Sequence, residues 1–212
     1  MRNLLLCVAA MGLATAANAS LVTVNLGDHF GTNTHSTFLI KYNGNFDTVT
    51  ATPFTANVNG GFTFLGYCVD LDHDAAVNTS YTADASSILT TLGSSVGGKI
   101  GYIYNHYGMT ANLDDEIAAQ VAIWEVRYDS TLNFGAGNFQ LVNLNSTVQA
   151  AAQNILNDLI AHPALSDGAT YYASQTIPHS QDIIGPVPEP ASLAALSIGA
   201  VGFLRRRRKA SK

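Results

Sequence analysis

The chain has 212 residues, of which 47% are hydrophobic and only 12% charged, and its formal net charge is −5 at pH 7. The charge is unevenly spread. Of the ten basic residues only Lys41, Lys99 and Arg127 lie between residues 20 and 185, against fourteen of the fifteen acidic ones, so that segment carries about −11. A field of that sign excludes nucleic acid and anionic membrane surfaces as partners, and the segment is long enough for one full core or two small subdomains.

Residues 1–19 contain Arg2 near the start, an apolar run from Leu4 to Ala17, and Ala17-Asn18-Ala19 as an A-x-A cleavage site. This is the pattern of a secretory signal peptide. Cleavage there removes Cys7 and leaves Cys68 as the sole cysteine. A single cysteine in an exported chain makes no intramolecular disulfide; it is buried and inert, paired with another chain, or used. Lysine is nearly absent from the same segment, which limits reaction between copies if the domain carries an amine-reactive group.

Residues 20–25, 36–42 and 47–54 read as strands, the last two joined by the turn Asn43-Gly44-Asn45. After Asn59-Gly60-Gly61 comes a strand over 61–71. Leu65, Tyr67, Val69 and Leu71 lie on one face, with Phe62, Phe64, Gly66 and Cys68 on the other. A strand apolar on both faces is covered on both, so Cys68 faces something packed on the sheet. From Thr82 the period changes, and 84–92 and 95–107 read as helices interrupted at Gly93 and Gly97-Gly98.

The next helix, 114–128, has Asn112 as its N-cap, with Asp114, Asp115 and Glu116 in its first turn. Ile117, Val121, Trp124 and Tyr128 form an apolar stripe at helical spacing. Ala118, Ala119 and Ala122 leave room for a close neighbour. A Gly/Asn-rich excursion over 130–145 precedes a helix over 146–161, stopped by His162-Pro163. Residues 169–177 and 181–184 return to strand, and there is no internal repeat. Strands, helices, then strands make the fold class α+β: a β-sandwich or barrel with a helical insert.

Gln120 lies on the apolar stripe between Ile117 and Trp124. Burying its amide without partners costs roughly 1–3 kcal/mol, so it is either hydrogen-bonded or chemically engaged. Cys68 and Gln120 are read as partners. A cysteine thiolate can attack a glutamine side-chain carbon and expel ammonia, leaving an internal thioester that persists where water is excluded. An amine that opens it forms an isopeptide bond and releases the thiol. This is attachment used once rather than enzymatic turnover, and it needs no cofactor or metal.

At Tyr67-Cys68-Val69-Asp70 and Gln120-Val121-Ala122-Ile123-Trp124 the chain resembles the bacterial surface thioester domains. The resemblance implies Cys68 as the sulfur that accepts the acyl group and Gln120 as its donor. It also implies Tyr67 and Trp124 as shielding residues, and a β-structure coupled to a helical part. Members best known as adhesins are Gram-positive, wall-anchored proteins whose Gln motif often begins with Thr, where this chain has Ala119.

The C-terminus runs Val187-Pro188-Glu189-Pro190-Ala191-Ser192, then an apolar stretch from Leu193 to Leu204, then Arg205-Arg206-Arg207-Arg208-Lys209. The stretch is shorter than the roughly 17–25 residues of a stable span, and the arginines stay on the cytoplasmic side. Residues 186–212 thus resemble the PEP-CTERM sorting signal of Gram-negative bacteria. That implies transient contact with the inner membrane and an exosortase, removal of the tail, and delivery to the cell surface or extracellular matrix. The expected product over residues 20–185 is a thioester domain that attaches to an amine-bearing surface protein or matrix polymer. The alternative is a non-covalent structural matrix protein with an inert, buried Cys68.

Two other constellations compete. Cys68 with His73 or His106 is a possible cysteine hydrolase, but no third partner appears and a strand-borne cysteine lacks helix N-terminal activation. Either histidine is instead a candidate base assisting amine attack. Asp70-x-Asp72-x-Asp74 resembles the start of a calcium loop, yet Ala75 and Tyr81 stand where an EF-hand has glycine and a carboxylate.

Overall fold

The computed structural model describes residues 20–28, 36–75, 77–110 and 112–187. The expected signal peptide over 1–19 and the expected sorting tail beyond residue 187 lie outside the described residues. The first half of the chain gives β1 (Ser20–Asp28), β2 (Ser36–Tyr42), β3 (Asn45–Ala51), β4 (Phe54–Val58), β5 (Phe62–Cys68) and β6 (Ser80–Ser87). Four helices follow, α1 (Ile88–Thr91), α2 (Gly93–Tyr107), α3 (Leu113–Tyr128) and α4 (Ser146–Ala161), with β7 (Phe139–Leu141) between the last two. β8 (Thr170–Ser174) and β9 (Ile183–Gly185) complete the described chain.

Six strands close an antiparallel barrel in the order β1-β4-β5-β9-β8-β6. A smaller sheet, β3-β2-β7, combines a hairpin inserted between β1 and β4 with a strand from the helical segment. The architecture is α+β, a barrel with a helical insert between β6 and β8.

Several elements differ from the sequence reading. The expected strand over 47–54 is two strands in two sheets, because Pro53 has no N–H to carry a ladder onward. The expected helix over 84–92 is divided: residues 84–87 belong to β6 and only Ile88–Thr91 are helical, as α1. Tyr81 and Ala83 point inward, and both edges of β6 are paired, to β1 and to β8. That pairing outweighs the weak strand preference of Ala, Asp and Ser. β7 falls within the excursion over 130–145, held by Ile40↔Leu141 and Tyr42↔Phe139. The strand expected to reach Leu71 ends at Cys68.

The chain does break at Gly93, whose φ of 77° separates α1 from α2, but Gly97 and Gly98 do not interrupt α2. A Cβ at Gly98 or Gly101 would run into the carbonyl oxygens of Leu165 and Asp167, so their absence lets the segment before β8 cross the helix closely. Asn112 caps α3 as expected, its side chain accepting from Asp114 N at 3.0 Å.

α3 carries more than one apolar stripe. Every residue from Glu116 to Val126 is buried, because the helix packs between α2 and α4 and against β3, β5 and β7. Two glutamates go inside with it. Burial, aided by the charge of Asp115, pushes Glu116 up to about 7 from an ordinary 4.5. Burial pushes Glu125 up to about 7 as well, with the charge of Asp129 adding to it and the Asn133 N–H bond opposing it.

Both carboxyls therefore hold protons in the folded chain at pH values where the unfolded chain has lost them. Their contribution to stability falls as pH rises from about 4.5 through about 7 and levels off above. The urea midpoint is expected to drop between pH 5 and pH 7.5. Glu116→Gln, at a residue whose two carboxyl oxygens have no hydrogen-bond partner, should flatten that drop.

Candidate functional site

The site begins where β5 outruns its neighbour. β4 pairs with β5 only as far as Phe54↔Gly66. On the other edge β9 continues the ladder through Tyr67↔Ile184 and Cys68↔Ile183, and Val69 N donates to Asp182 O at 3.0 Å. The Cys68 N–H and C=O on the β4 side thus have no strand to meet, and buried backbone groups need partners.

α3 supplies them with one side chain. Gln120 Oε1 accepts from Cys68 N at 2.9 Å, and Gln120 Nε2 donates to Cys68 O at 2.7 Å. Both residues are buried, Gln120 completely. The expected partners are together, and a primary amide on an apolar stripe is explained by the role of a missing strand.

The sulfur meets a second carboxamide, one that sequence reasoning missed. Cys68 Sγ donates to Gln181 Oε1 at 2.6 Å, and Gln181 Nε2 donates to Asp70 O at 2.6 Å. The backbone N of Gln181 donates to Asp74 O at 3.1 Å. Gln181 lies between the loop before β9 and the strand itself, where the sequence pattern offers no sign of burial. Burial holds the Cys68 thiol well above its ordinary value, and the charge of Asp70 adds to that.

Asp70 ties the site together. Its carboxylate accepts from Asp182 N at 2.7 Å and from His73 N at 3.1 Å, and His73 Nδ1 stands 3.3 Å from the same oxygen. His73 is thereby held in the segment that follows β5, its ring 5.4 Å from that of His179. His106 is engaged elsewhere, paired with Asp167 at 3.1 Å and stacked on Tyr102. Tyr67 is buried and donates to Gly108 O at 2.7 Å. Trp124, one turn along α3 from Gln120, is buried against Phe139.

The three aspartates of the calcium-like run go separate ways. Asp70 binds backbone N–H groups, Asp72 accepts from the Tyr42 hydroxyl at 3.2 Å, and Asp74 lines a cleft. Among the described residues no group of three or more His, Cys, Asp or Glu side chains is arranged to hold a metal ion. The cleft, of about 670 Å³, runs between β3 and the loop after β5. Asp28, Asp47, Asp74 and His73 line it, Trp124 and Gln181 border it, and among the described residues no Lys or Arg does.

Residues 186–209 match the PEP-CTERM protein-sorting motif, so the chain carries that export and sorting signal. No curated protein matches the chain. Among solved structures it is similar to the N-terminal thioester domain of fibronectin-binding protein SfbI from Streptococcus pyogenes. That match has 9% identity and a TM-score of 0.47, over 79% of this chain and 94% of that one. It is also similar to the N-terminal domain of the Streptococcus pyogenes pilus tip adhesin Cpa, at 14% identity and a TM-score of 0.49, over 79% and 94%.

Gln120→Leu would strip both Cys68 backbone groups of their partners inside the fold. Each orphaned group costs roughly 1–3 kcal/mol, so urea unfolding should show a loss of about 2–6 kcal/mol.

Proposed function

We propose that the chain is an exported surface or matrix protein whose Cys68 and Gln120 form an internal thioester that attaches it covalently to an amine-bearing partner. The observation that carries this reading is the Gln120 carboxamide lying directly on the Cys68 peptide in a buried site. The resemblance of the Tyr67–Asp70 and Gln120–Trp124 motifs to thioester domains supports it independently.

The chemistry follows from the contacts. The Cys68 sulfur bonds to the Gln120 side-chain carbon, the bond from that carbon to Nε2 breaks, and ammonia leaves with the thiol proton. Cys68 N–H already donates to Gln120 Oε1, the oxygen on which negative charge develops during attack. A fixed donor there stabilises the transition state. Because burial disfavours the thiolate, the step relies on apposition in a dry site rather than on a preformed nucleophile.

Opening reverses the roles. An amine nitrogen bonds to the same carbon, the carbon–sulfur bond breaks, and a proton from the amine ends on sulfur. The acidic cleft that borders Trp124 and Gln181 is the route we assign to the amine, and its carboxylates suit a cationic one such as a lysine side chain. His73, which lines the cleft and is oriented by Asp70, is a better candidate than His106 for the base. Tyr67 and Trp124 keep water from the bond. The sorting signal supports delivery through an exosortase at the inner membrane to the surface or matrix.

One observation favours a second reading. The amide of Gln120 is fully satisfied by the Cys68 backbone and the thiol by Gln181, as suits a non-covalent matrix protein with an inert Cys68. Intact mass of freshly purified protein separates the two. A mass short by one ammonia, mapped to Cys68–Gln120 and restored with incorporation of methylamine, is the outcome expected here, and Cys68→Ala or Gln120→Ala should abolish it. A full mass with Cys68 freely titratable would leave the inert matrix protein as the function.

A further inference from the structure

We propose that Gln181 is a positioning residue for Cys68, holding the sulfur as a neutral thiol and receiving it when amine transfer sets it free. For the transfer step this rests on the thioester reading above; the hold on the thiol does not.

The hydrogen-bond network fixes which end of the carboxamide meets the sulfur. Gln181 Nε2 donates to Asp70 O at 2.6 Å, so Oε1 is the atom 2.6 Å from Cys68 Sγ. Turning the amide over would set Oε1 against the Asp70 carbonyl and place two donors, N–H and S–H, face to face. The backbone of Gln181 is pinned as well, by the bond from its N to Asp74 O. Only 8% of the residue is exposed, so water does not replace it as the sulfur's partner.

A carboxamide oxygen accepts a hydrogen bond but is no base at neutral pH. It therefore favours S–H over S⁻, and its partial negative charge disfavours the thiolate further. The other groups around the sulfur are few. Asp70 lies past the end of its own strand, Asp182 stands at the start of β9, and Tyr81 faces it from β6. From α3 comes the uncharged Gln120, while Glu116 acts on the neighbouring Tyr67. His73 reaches the sulfur's surroundings through Asp70. None of these is the hydrogen-bond acceptor of the thiol, and Gln181 is.

This has a directional effect on transfer. When an amine opens the thioester, the carbon–sulfur bond breaks and sulfur takes up a proton. The new thiol finds Gln181 Oε1 in place and is held there. To reverse the transfer, sulfur must leave that bond before attacking the new amide. The hydrogen bond thus makes attachment closer to one-way, without taking part in bond making.

The test uses the full exported chain after methylamine treatment, so that Cys68 is a free thiol whether or not it began as a thioester. Its alkylation by iodoacetamide is followed against pH in the unaltered protein, in Gln181→Met and in Gln181→Glu. The Met variant keeps length and loses the acceptor. Its alkylation midpoint is expected to move down by roughly half a unit to one unit. The Glu variant adds a negative charge and is expected to move the midpoint up. Midpoints that stay put, or that move the same way in both variants as a loosened strand would produce, overturn the proposal.

A second arm follows intact mass after the amine is removed. Where the unaltered protein forms the thioester, Gln181→Met is expected to re-form it from the methylamide about two- to tenfold faster. Equal rates overturn the one-way role. If the unaltered protein never shows the mass short by one ammonia, the thioester reading fails, while the alkylation profiles still decide whether Gln181 controls the thiol.

Discussion

The peptide groups of Cys68 sit at the end of β5 where β4 has already stopped, and one glutamine side chain from α3 satisfies them. Much of the structure follows from that arrangement. For a side chain to serve as a strand, its helix has to lie close against the barrel, with other helices on its remaining sides. Ala118, Ala119 and Ala122 make the approach possible, and the result is a helix buried all round. Glu116 and Glu125 are enclosed along with it, and enclosure raises both of their pKa values. The chain thus gives up some stability near neutral pH to keep α3 where it is.

The same contact sets the chemical possibilities. One carboxamide is fixed on the backbone of Cys68 and a second on its sulfur. In the proposed thioester the first would be the acyl group, held beside a thiol in a buried site, and the second the partner that holds the thiol. A stored electrophile has two opposite requirements, that it form by proximity and that its spent form not revert, and the two carboxamides are the groups proposed to meet them. Asp70 links both halves, since its carbonyl anchors Gln181 while its carboxylate holds the turn of His73 and the start of β9.

Charge extends the argument to the surface. Among the described residues the cleft beside Trp124 and Gln181 is bordered by carboxylates and by no Lys or Arg, in a segment with three basic residues in all. Cationic amines are drawn toward such a surface, and the domain's own copies offer few of them. The sorting motif at 186–209 adds a compartment in which an odd cysteine needs protection, and burial at Cys68 provides it.

What the sequence determined by itself was local or compositional. The helix over 146–161 and the Asn112 cap were legible because capping residues and periodicity act within a few positions. The pairing of Cys68 with Gln120 was suggested by an amide on an apolar stripe and a lone cysteine on an apolar strand, and chiefly by the resemblance of the motifs around them to thioester domains. Tertiary structure alone decided the rest. β6 is a strand because β1 and β8 lie on either side of it, against the preferences of its own residues. Pro53 divides one apolar run between two sheets, and only the closure of the barrel shows where the halves go. Gln181 reads as an ordinary polar residue before a short strand. It becomes the partner of the sulfur because the β5–β9 ladder brings positions more than a hundred residues apart into register, and no local pattern in the sequence encodes a contact at that separation.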